Sequence, residues 1–245
     1  MPLFQLNNTI KFPLPELAEP NGLLAIGGDL SPDRLIEAYR LGIFPWYSEK
    51  NPILWWSPAP RLVLFPDKFH LPKRLARLIR QHVFTVTADT AFFQVIENCA
   101  QRKVNPEETW ITPDMKRAYC RLHELGFAHS IECWEGSVLA GGLYGIALDR
   151  VFFGESMFSN VSNGSKIALH YLVQHSARNG IRMIDCQMKT EHLVRFGAQE
   201  ISRVEFQEKL HDYVRSTAPQ KKWRLQNTNK KGIGSADACQ EEKII

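Results

Sequence analysis

The amino-acid sequence predicts an α+β protein with a mixed, mainly antiparallel sheet that is flanked by helices. Residues 128–159 contain three strand-like segments separated by turns at Gly136 and Asp149, which is the pattern of an antiparallel meander. A helix, a strand and another helix follow within 165–215. Strands that precede a helix-strand-helix run favour an α+β fold with a mixed sheet.

The first sixty residues are rich in Pro and Gly, and only one segment, SPDRLIEAYRLG, has a helical pattern. Ser31 is its expected N-cap, Pro32 its first helical position and Gly42 its end. The sequence therefore predicts a small N-terminal lobe over 1–60, built of loops around one helix.

The pattern changes at Arg61, where strands and helices begin to alternate: RLVLFP, LPKRLARLIRQH, FTVTAD, TAFFQVIENCAQR and a helix capped by Thr112. We predict a larger domain over 61–218. The final segment, 219–245, is polar and lacks periodicity, so we expect it to be largely disordered.

Composition excludes several classes of function. The five cysteines are scattered without a CxxC pair or zinc-ligand spacing, and no GxxxxGK[ST] loop is present, so no metal or cofactor is expected. The sequence has no apolar run of membrane-spanning length and no secretory signal. We therefore expect a cytoplasmic location and no contact with a membrane. The net charge of only +4 requires any nucleic-acid partner to bind a local basic patch.

The string DCQ, residues 185–187, holds the most suggestive polar side chains. If IRMIDCQ is a strand, Asp185 and Gln187 share one face while Cys186 points the other way with Ile184. An acid and an amide at a strand end can act on one substrate, or they can simply form a solvated polar edge. A nucleophilic Cys186, with His192 as its base, is a third interpretation.

A basic stripe lies on the predicted helix LPKRLARLIR. Lys73, Arg77 and Arg80 fall on one helical face, with leucines and an isoleucine opposite. Such a stripe can bind phosphates, or it can be an ordinary solvated face. A different signal is Glu155, an acid among phenylalanines in FFGESMF, because a carboxylate in that setting needs a hydrogen-bonding or cationic partner. Alternation places Phe153, Glu155 and Met157 on one face unless a bulge intervenes.

Several long strings make the sequence resemble one family. PNGLLAIGGDLSPDRLIEAYRLGIFPW, LWWSPAPR, GGLYGIAL, FFGESMFS and DCQ, in this order, resemble the leucyl/phenylalanyl-tRNA–protein transferases over about residues 4 to 210. The resemblance implies a small N-terminal domain followed by a GNAT-like acyltransferase domain. It also implies transfer of Leu or Phe from aminoacyl-tRNA to proteins with N-terminal Lys or Arg, the first step of N-end rule degradation, without a cofactor.

The resemblance further implies roles for individual residues. Asp185 and Gln187 match the catalytic pair, and which of them takes the amine's proton is left open. Glu155 would approach the donor's α-amino group, and Lys73, Arg77 and Arg80 would hold tRNA phosphates. The donor side chain would be surrounded by a set of apolar residues: Trp46, Leu143, Phe152, Met157, Leu169 and Ile184. Leu172 and Ser176 stand where bulkier aromatics would be expected.

Three other functions are compatible with parts of the sequence. The tRNA-dependent transferases that build peptidoglycan bridges share the fold type, but the DCQ and FPW strings fit them poorly. A non-catalytic tRNA-binding module would keep the basic stripe and tolerate loss of Asp185. A cysteine hydrolase would need Cys186. A monomer is the expected oligomeric state.

Overall fold

The chain forms two sheets, one in each predicted lobe. The computed structural model describes residues 3–101 and 110–225. The N-terminal sheet has the strand order β1-β2-β4-β3, with β1 and β2 parallel and the other pairs antiparallel. Its strands are β1 (Phe4–Leu6), β2 (Leu23–Gly27), β3 (Phe44–Pro45) and β4 (Leu54–Trp56).

The N-terminal lobe confirms the predicted helix but contains a sheet that we did not predict. Helix α1 spans Pro32–Arg40, with Ser31 at the N-cap position, although the Ser31 side chain makes no capping hydrogen bond. The lobe's strands are two to five residues long. Segments that short carry too little alternation to be recognised among prolines and glycines.

The large sheet has seven strands in the order β11-β5-β10-β9-β8-β7-β6. Only β10 and β9 run parallel, and the other neighbouring pairs are antiparallel. The predicted mixed, mainly antiparallel sheet is therefore confirmed. Its strands are β5 (Arg61–Leu64), β6 (Thr85–Ala88), β7 (Ala128–Glu135), β8 (Val138–Leu148), β9 (Val151–Ser159), β10 (Met183–Gln187) and β11 (Gln199–Ile201).

Helices flank this sheet. The Thr112 hydroxyl accepts a hydrogen bond from the Met115 backbone N–H at 3.3 Å, as expected of a cap. Neither the short helix α6 nor strand β11 was predicted, because each has only three or four residues. The helices are α2 (Lys73–Arg80), α3 (Phe92–Ala100), α4 (Pro113–Glu124), α5 (Gly164–Arg178), α6 (Glu191–Val194) and α7 (Arg203–Tyr213).

Two hydrophobic clusters cover the two faces of the large sheet. Adjacent strand residues fall in different clusters: Phe153 and Met183 belong to the first, whereas Phe152 and Ile184 belong to the second. The first cluster also takes in the core of the N-terminal lobe, and the second takes in the apolar side of α5. The N-terminal lobe is thereby packed against one face of the sheet.

Residues 219–225 differ from the predicted disordered tail. The Trp223 ring is buried and stacks on His129, with ring centroids 4.3 Å apart. The Trp223 backbone N–H donates to Asp89 Oδ2 at 2.6 Å. A single large aromatic side chain can hold a polar segment in place, because it buries much apolar area. The rest of the predicted tail, 226–245, lies outside the described residues.

No helix within 3–101 and 110–225 is long and apolar enough to cross a membrane. In the same part of the chain, no group of three or more His, Cys, Asp or Glu side chains is arranged to hold a metal ion.

Candidate active site

A cavity of about 420 Å³ opens between the N-terminal lobe and the large sheet. Strand β3 and Trp46 supply one side, and β8, β9, β10, α5 and α6 supply most of the remainder. Trp110, Met188 and Thr190, which lie between elements, complete the lining. Most of the predicted pocket residues meet there: Trp46, Leu143, Glu155, Met157, Leu169 and Ile184. Leu172 lines the cavity as well, whereas Ser176 is fully buried outside it.

Phe152 is the one predicted pocket residue that lies outside the cavity wall. Its side chain is fully buried, and its ring packs against that of Trp223 with centroids 5.6 Å apart. Phe152 therefore supports the wall from behind, together with the segment 219–225.

A β-bulge in strand β9 places Glu155. Gly154 pairs with Gly145 and Ser156 pairs with Tyr144, which leaves Glu155 as the extra residue. The bulge shifts the alternation, so Met157 packs with the second cluster while Phe153 stays in the first. Simple alternation, which puts Phe153 and Met157 on one face, is wrong for this reason. The bulge directs an acid and an apolar side chain toward the same cavity.

Glu155 makes three hydrogen-bond contacts with protein side chains. The Tyr39 hydroxyl donates to Oε1 at 2.7 Å, and the Gln187 side-chain amide donates to the same oxygen at 3.1 Å. The Tyr119 hydroxyl lies 3.0 Å from Oε2. Burial raises the pKa of Glu155 to about 7, against the opposing effect of the tyrosine and glutamine hydrogen bonds.

Asp185 is buried beneath the cavity and forms a two-point ion pair with Arg61. The Arg61 Nε and Nη2 atoms donate to the two carboxylate oxygens at 2.9 and 2.7 Å. The side chains of Arg61 and Asp185 are 1% and 0% exposed. The Arg61 guanidinium lies over the rings of Phe44 and Phe206, with distances to the ring centroids of 4.9 and 4.7 Å.

The Asp185 side chain contacts the backbone amide of Gln187. Its Oδ1 atom accepts a hydrogen bond from the Gln187 backbone N–H at 2.9 Å. Gln187 has a φ of +63°, in the left-handed region that non-glycine residues rarely adopt, and the ladder between β10 and β5 shifts register there. The carboxylate thus stabilises the unusual backbone that turns the Gln187 side chain toward Glu155 and the cavity.

Comparison with known proteins identifies the family of the chain. The family model of leucyl/phenylalanyl-tRNA protein transferase matches residues 63–211, and the model of its N-terminal domain matches residues 28–59. A leucyl/phenylalanyl-tRNA–protein transferase of Desulfotalea psychrophila is 54% identical over 226 residues, covering 92% of this chain and 100% of the relative. One from Anaeromyxobacter sp. (strain Fw109-5) is 57% identical over 207 residues, covering 84% and 88%.

The chain belongs to the leucyl/phenylalanyl-tRNA–protein transferase family. It is accordingly an aminoacyltransferase, as the sequence resemblance implied. Among solved structures, a GCN5-related N-acetyltransferase from Kribbella flavida matches with 11% identity and a TM-score of 0.37, covering 70% of this chain and 61% of the other.

Cys186 of this leucyl/phenylalanyl-tRNA–protein transferase family member lacks the features of a nucleophile. Burial raises the pKa of its thiol, and the nearby Asp185 carboxylate raises it further. The Sγ atom contacts the Ile184 carbonyl oxygen at 3.7 Å. His192 lines the same cavity, but burial lowers its pKa, and no hydrogen bond joins it to Cys186 in the described structure. A thiol that stays protonated does not attack an ester or amide.

The basic stripe of the transferase borders a groove of about 510 Å³ beside the cavity. Lys73, Arg77 and Arg80 are exposed on α2, above the buried Leu75. Of these three basic residues, Arg77 lines the groove. Six further polar or basic residues line the groove: Arg74, Gln81, Asn163, Lys166, His192 and Arg195. Because His192 lines both spaces, the groove and the cavity are adjacent.

Three residues of the site were missed by sequence reasoning. Tyr39 comes from α1, Tyr119 from α4 and Arg61 from β5. Each is far in sequence from the acid that it contacts, and an aromatic or basic residue in an ordinary helix or strand gives no local signal. The packing of the N-terminal lobe on the sheet brings Tyr39 to Glu155, the packing of α4 on the sheet brings Tyr119, and the pairing of β5 with β10 brings Arg61 to Asp185.

Proposed function

We propose that this transferase moves Leu or Phe from aminoacyl-tRNA to the α-amine of proteins that begin with Lys or Arg, and so marks them for N-end rule degradation. The donor, a tRNA that carries Leu or Phe, is inferred from the names of the family and of its relatives. The observation that carries the proposal is the cavity itself, because it combines an apolar wall with one polar corner formed by Glu155 and Gln187.

The apolar wall would receive the donor side chain. Leu143, Leu169 and Ile184 are nearly buried and supply branched aliphatic surface, with Met157 beside them. Methionine adapts to differently shaped partners, which suits a site that takes both Leu and Phe. The donor α-ammonium would lie at Glu155, the one carboxylate among the described residues that line the cavity.

Gln187 would orient the attacking amine. Its amide nitrogen faces Glu155, which leaves the carbonyl oxygen to accept a hydrogen bond from the acceptor's α-amine. That amine has a reference pKa of about 7.7–8.0, so a minority is neutral and reactive near pH 7. A new C–N bond forms, the ester bond to the tRNA 3′-oxygen breaks, and that oxygen takes up a proton as the attacking nitrogen releases one.

Asp185 would be a positioning residue. Both of its carboxylate oxygens are engaged by Arg61, and one of them also accepts the Gln187 backbone N–H. It lies outside the cavity wall, away from any amine bound there. This arrangement favours the amide of Gln187, rather than the carboxylate of Asp185, as the group that meets the amine.

The groove beside α2 would bind the acceptor end of the tRNA. Its cations attract the phosphate backbone without reading base sequence, which suits an enzyme that accepts tRNAs for two amino acids. The adjacency of groove and cavity at His192 gives the 3′ end a short path to the polar corner.

The proposal is tested by transfer of radiolabelled Leu from Leu-tRNA to two peptides that differ only in their first residue, Arg or Ala. We expect label on the Arg peptide alone, competed by unlabelled Phe-tRNA and not by Val-tRNA. Equal labelling of both peptides would refute the acceptor rule, and absence of labelling with tRNA still bound would refute the transfer reaction.

A further inference from the structure

Tyr39, Tyr119 and Glu155 form a closed ring of oxygen atoms under the cavity. The Tyr39 hydroxyl lies 2.7 Å from Glu155 Oε1, and the Tyr119 hydroxyl lies 3.0 Å from Oε2. The two phenol oxygens lie 2.5 Å from each other. The tyrosines are at most 1% exposed and Glu155 is 9% exposed, so water is largely excluded as a competing partner.

The number of protons in the ring decides its chemistry. Three oxygen–oxygen contacts need three hydrogens, and each phenol supplies only one. If Glu155 were ionised, two phenol hydrogens would serve three contacts, and one pair of oxygen atoms would face each other with no proton between them. If Glu155 carries a proton on Oε2, every contact becomes a hydrogen bond, from Oε2 to Tyr119, from Tyr119 to Tyr39 and from Tyr39 to Oε1.

The position of Gln187 agrees with the protonated ring. Its amide nitrogen donates to Oε1 at 3.1 Å, the oxygen that also accepts from Tyr39. In this arrangement Oε1 is the carbonyl oxygen of a neutral carboxylic acid and accepts two hydrogen bonds, whereas Oε2 is its hydroxyl and donates one.

No cation balances Glu155 within the described residues. Arg61 is paired with both oxygens of Asp185, and the charge of Asp185 raises the pKa of Glu155 further. Tyr144 and His192 line the same cavity, and burial lowers the pKa of His192, which favours its neutral form. A buried carboxyl group without a cation is more stable when it is neutral.

We propose that Glu155 rests as the neutral acid in a proton ring with Tyr39 and Tyr119, and that the donor's α-ammonium expels this proton to solvent when it binds. Tyr39 and Tyr119 are then positioning residues for the donor site. The inference rests on the proposed function for the identity of the cation. In the step itself, the O–H bond of Glu155 breaks, the proton goes to water, and a carboxylate–ammonium pair remains.

Proton release can be measured by titration calorimetry with an unreactive donor, a leucyl-adenosine in which an amide replaces the ester. The heat of binding is compared in two buffers of different ionisation enthalpy at pH 6.5. With a Glu155 pKa of about 7, Glu155 should release about 0.8 proton per donor bound at pH 6.5 and about 0.2 at pH 7.5. The donor amine, with a reference pKa of about 7.7–8.0, is almost fully protonated at pH 6.5, so we expect a net release of about 0.7 proton there. At pH 7.5 the amine takes up about 0.2–0.4 proton when it binds as the ammonium, so the net release falls to about zero or below. The analogue without the α-amine should release none. Binding without proton release at pH 6.5 would overturn the inference.

Substitutions separate the ring from a general structural role. Glu155→Gln is the neutral isostere and can keep all three contacts, so it should retain the melting temperature and lose proton release. Tyr39→Phe removes a donor to the carboxylate and should raise the pKa of Glu155, which increases release at pH 7.5. Tyr47→Phe, a buried tyrosine hydroxyl outside the ring, is the matched control and should behave as wild type.

A measurement on the free protein keeps this inference distinct from the proposed function. The infrared difference spectrum of wild type minus Glu155→Gln at pH 6 should contain the C=O band of a neutral carboxylic acid. If the band is absent, the proton ring is wrong whatever the substrate is. If the band is present but the leucyl-adenosine amide does not bind, the donor site of the proposed function is wrong. The proposed role of Tyr39 and Tyr119 in donor binding is then wrong as well.

Discussion

Replacing Asp185 by Asn separates a structural role of this carboxylate from a direct chemical one. The Arg61–Asp185 pair is 1% and 0% exposed, so the variant leaves a buried guanidinium without its counter-charge. Removal of one partner of a buried pair costs about 3–5 kcal/mol of the free energy of unfolding. For a domain of this size, about 2–4 °C of melting temperature per kcal/mol gives a fall of about 6–20 °C.

The double variant Arg61→Met with Asp185→Leu sharpens the test. Replacing both charges by apolar side chains of similar volume removes the uncompensated charge, and such exchanges are often neutral for stability. We expect it to regain most of the lost stability while transfer stays at background, because the Gln187 backbone N–H has lost its acceptor. The control is Asp212→Asn, whose partner Arg215 is 63% exposed, with an expected change of at most about 1 kcal/mol.

Thermal or urea unfolding gives the stability of each variant, and transfer of labelled Leu to an Arg peptide gives its activity. A change of about 1 kcal/mol corresponds to about 2 °C or more in melting temperature. If Asp185→Asn melts within about 2 °C of wild type and yet transfers nothing, the positioning role of Asp185 is refuted. The carboxylate would then have to act on the substrate directly.

Three other perturbations test separate parts of the molecule. Trp223→Ala should lower the free energy of unfolding by about 3–5 kcal/mol, measured by denaturation; a loss below about 1 kcal/mol would show that residues 219–225 do not brace the sheet. Leu169→Ala widens the apolar wall and should lower kcat/KM for Leu-tRNA about tenfold while raising the ratio of Phe to Leu transfer; an unchanged ratio would place the donor side chain elsewhere. Arg77→Gln should reduce the slope of log affinity against log salt for tRNA by about 0.7–0.9, with Arg117→Gln on α4 as control; equal slopes would remove the groove from the tRNA path.

The fold was largely predictable because its signals are local. The meander, the helix that Thr112 caps and the helix ending near Gly180 each have strong periodicity and clear stop signals. The sheet of the N-terminal lobe was missed because its strands are very short. Residues 219–225 were misread because a single aromatic, Trp223, outweighs a polar composition.

The candidate site was predictable only in part. Sequence alternation correctly placed Cys186 with Ile184, and it failed at Met157, because the bulge at Glu155 adds a residue to one strand. The partners Tyr39, Tyr119 and Arg61 were missed because long-range packing alone brings them to the acids. Long-range hydrogen bonds leave no local periodicity to detect.

The most direct test of the account is a single-turnover comparison of wild type, Gln187→Ala and Cys186→Ala with Leu-tRNA and an Arg peptide at pH 7.5. Both residues line the cavity and are half-buried, so the two substitutions disturb the same wall. We expect Gln187→Ala to lower the rate by at least about 100-fold, the usual scale for a group that assists proton transfer. Cys186→Ala should stay within about threefold of wild type, a change of under 1 kcal/mol in barrier height. Loss of transfer in Cys186→Ala with activity retained in Gln187→Ala would contradict it and make the thiol the reacting group.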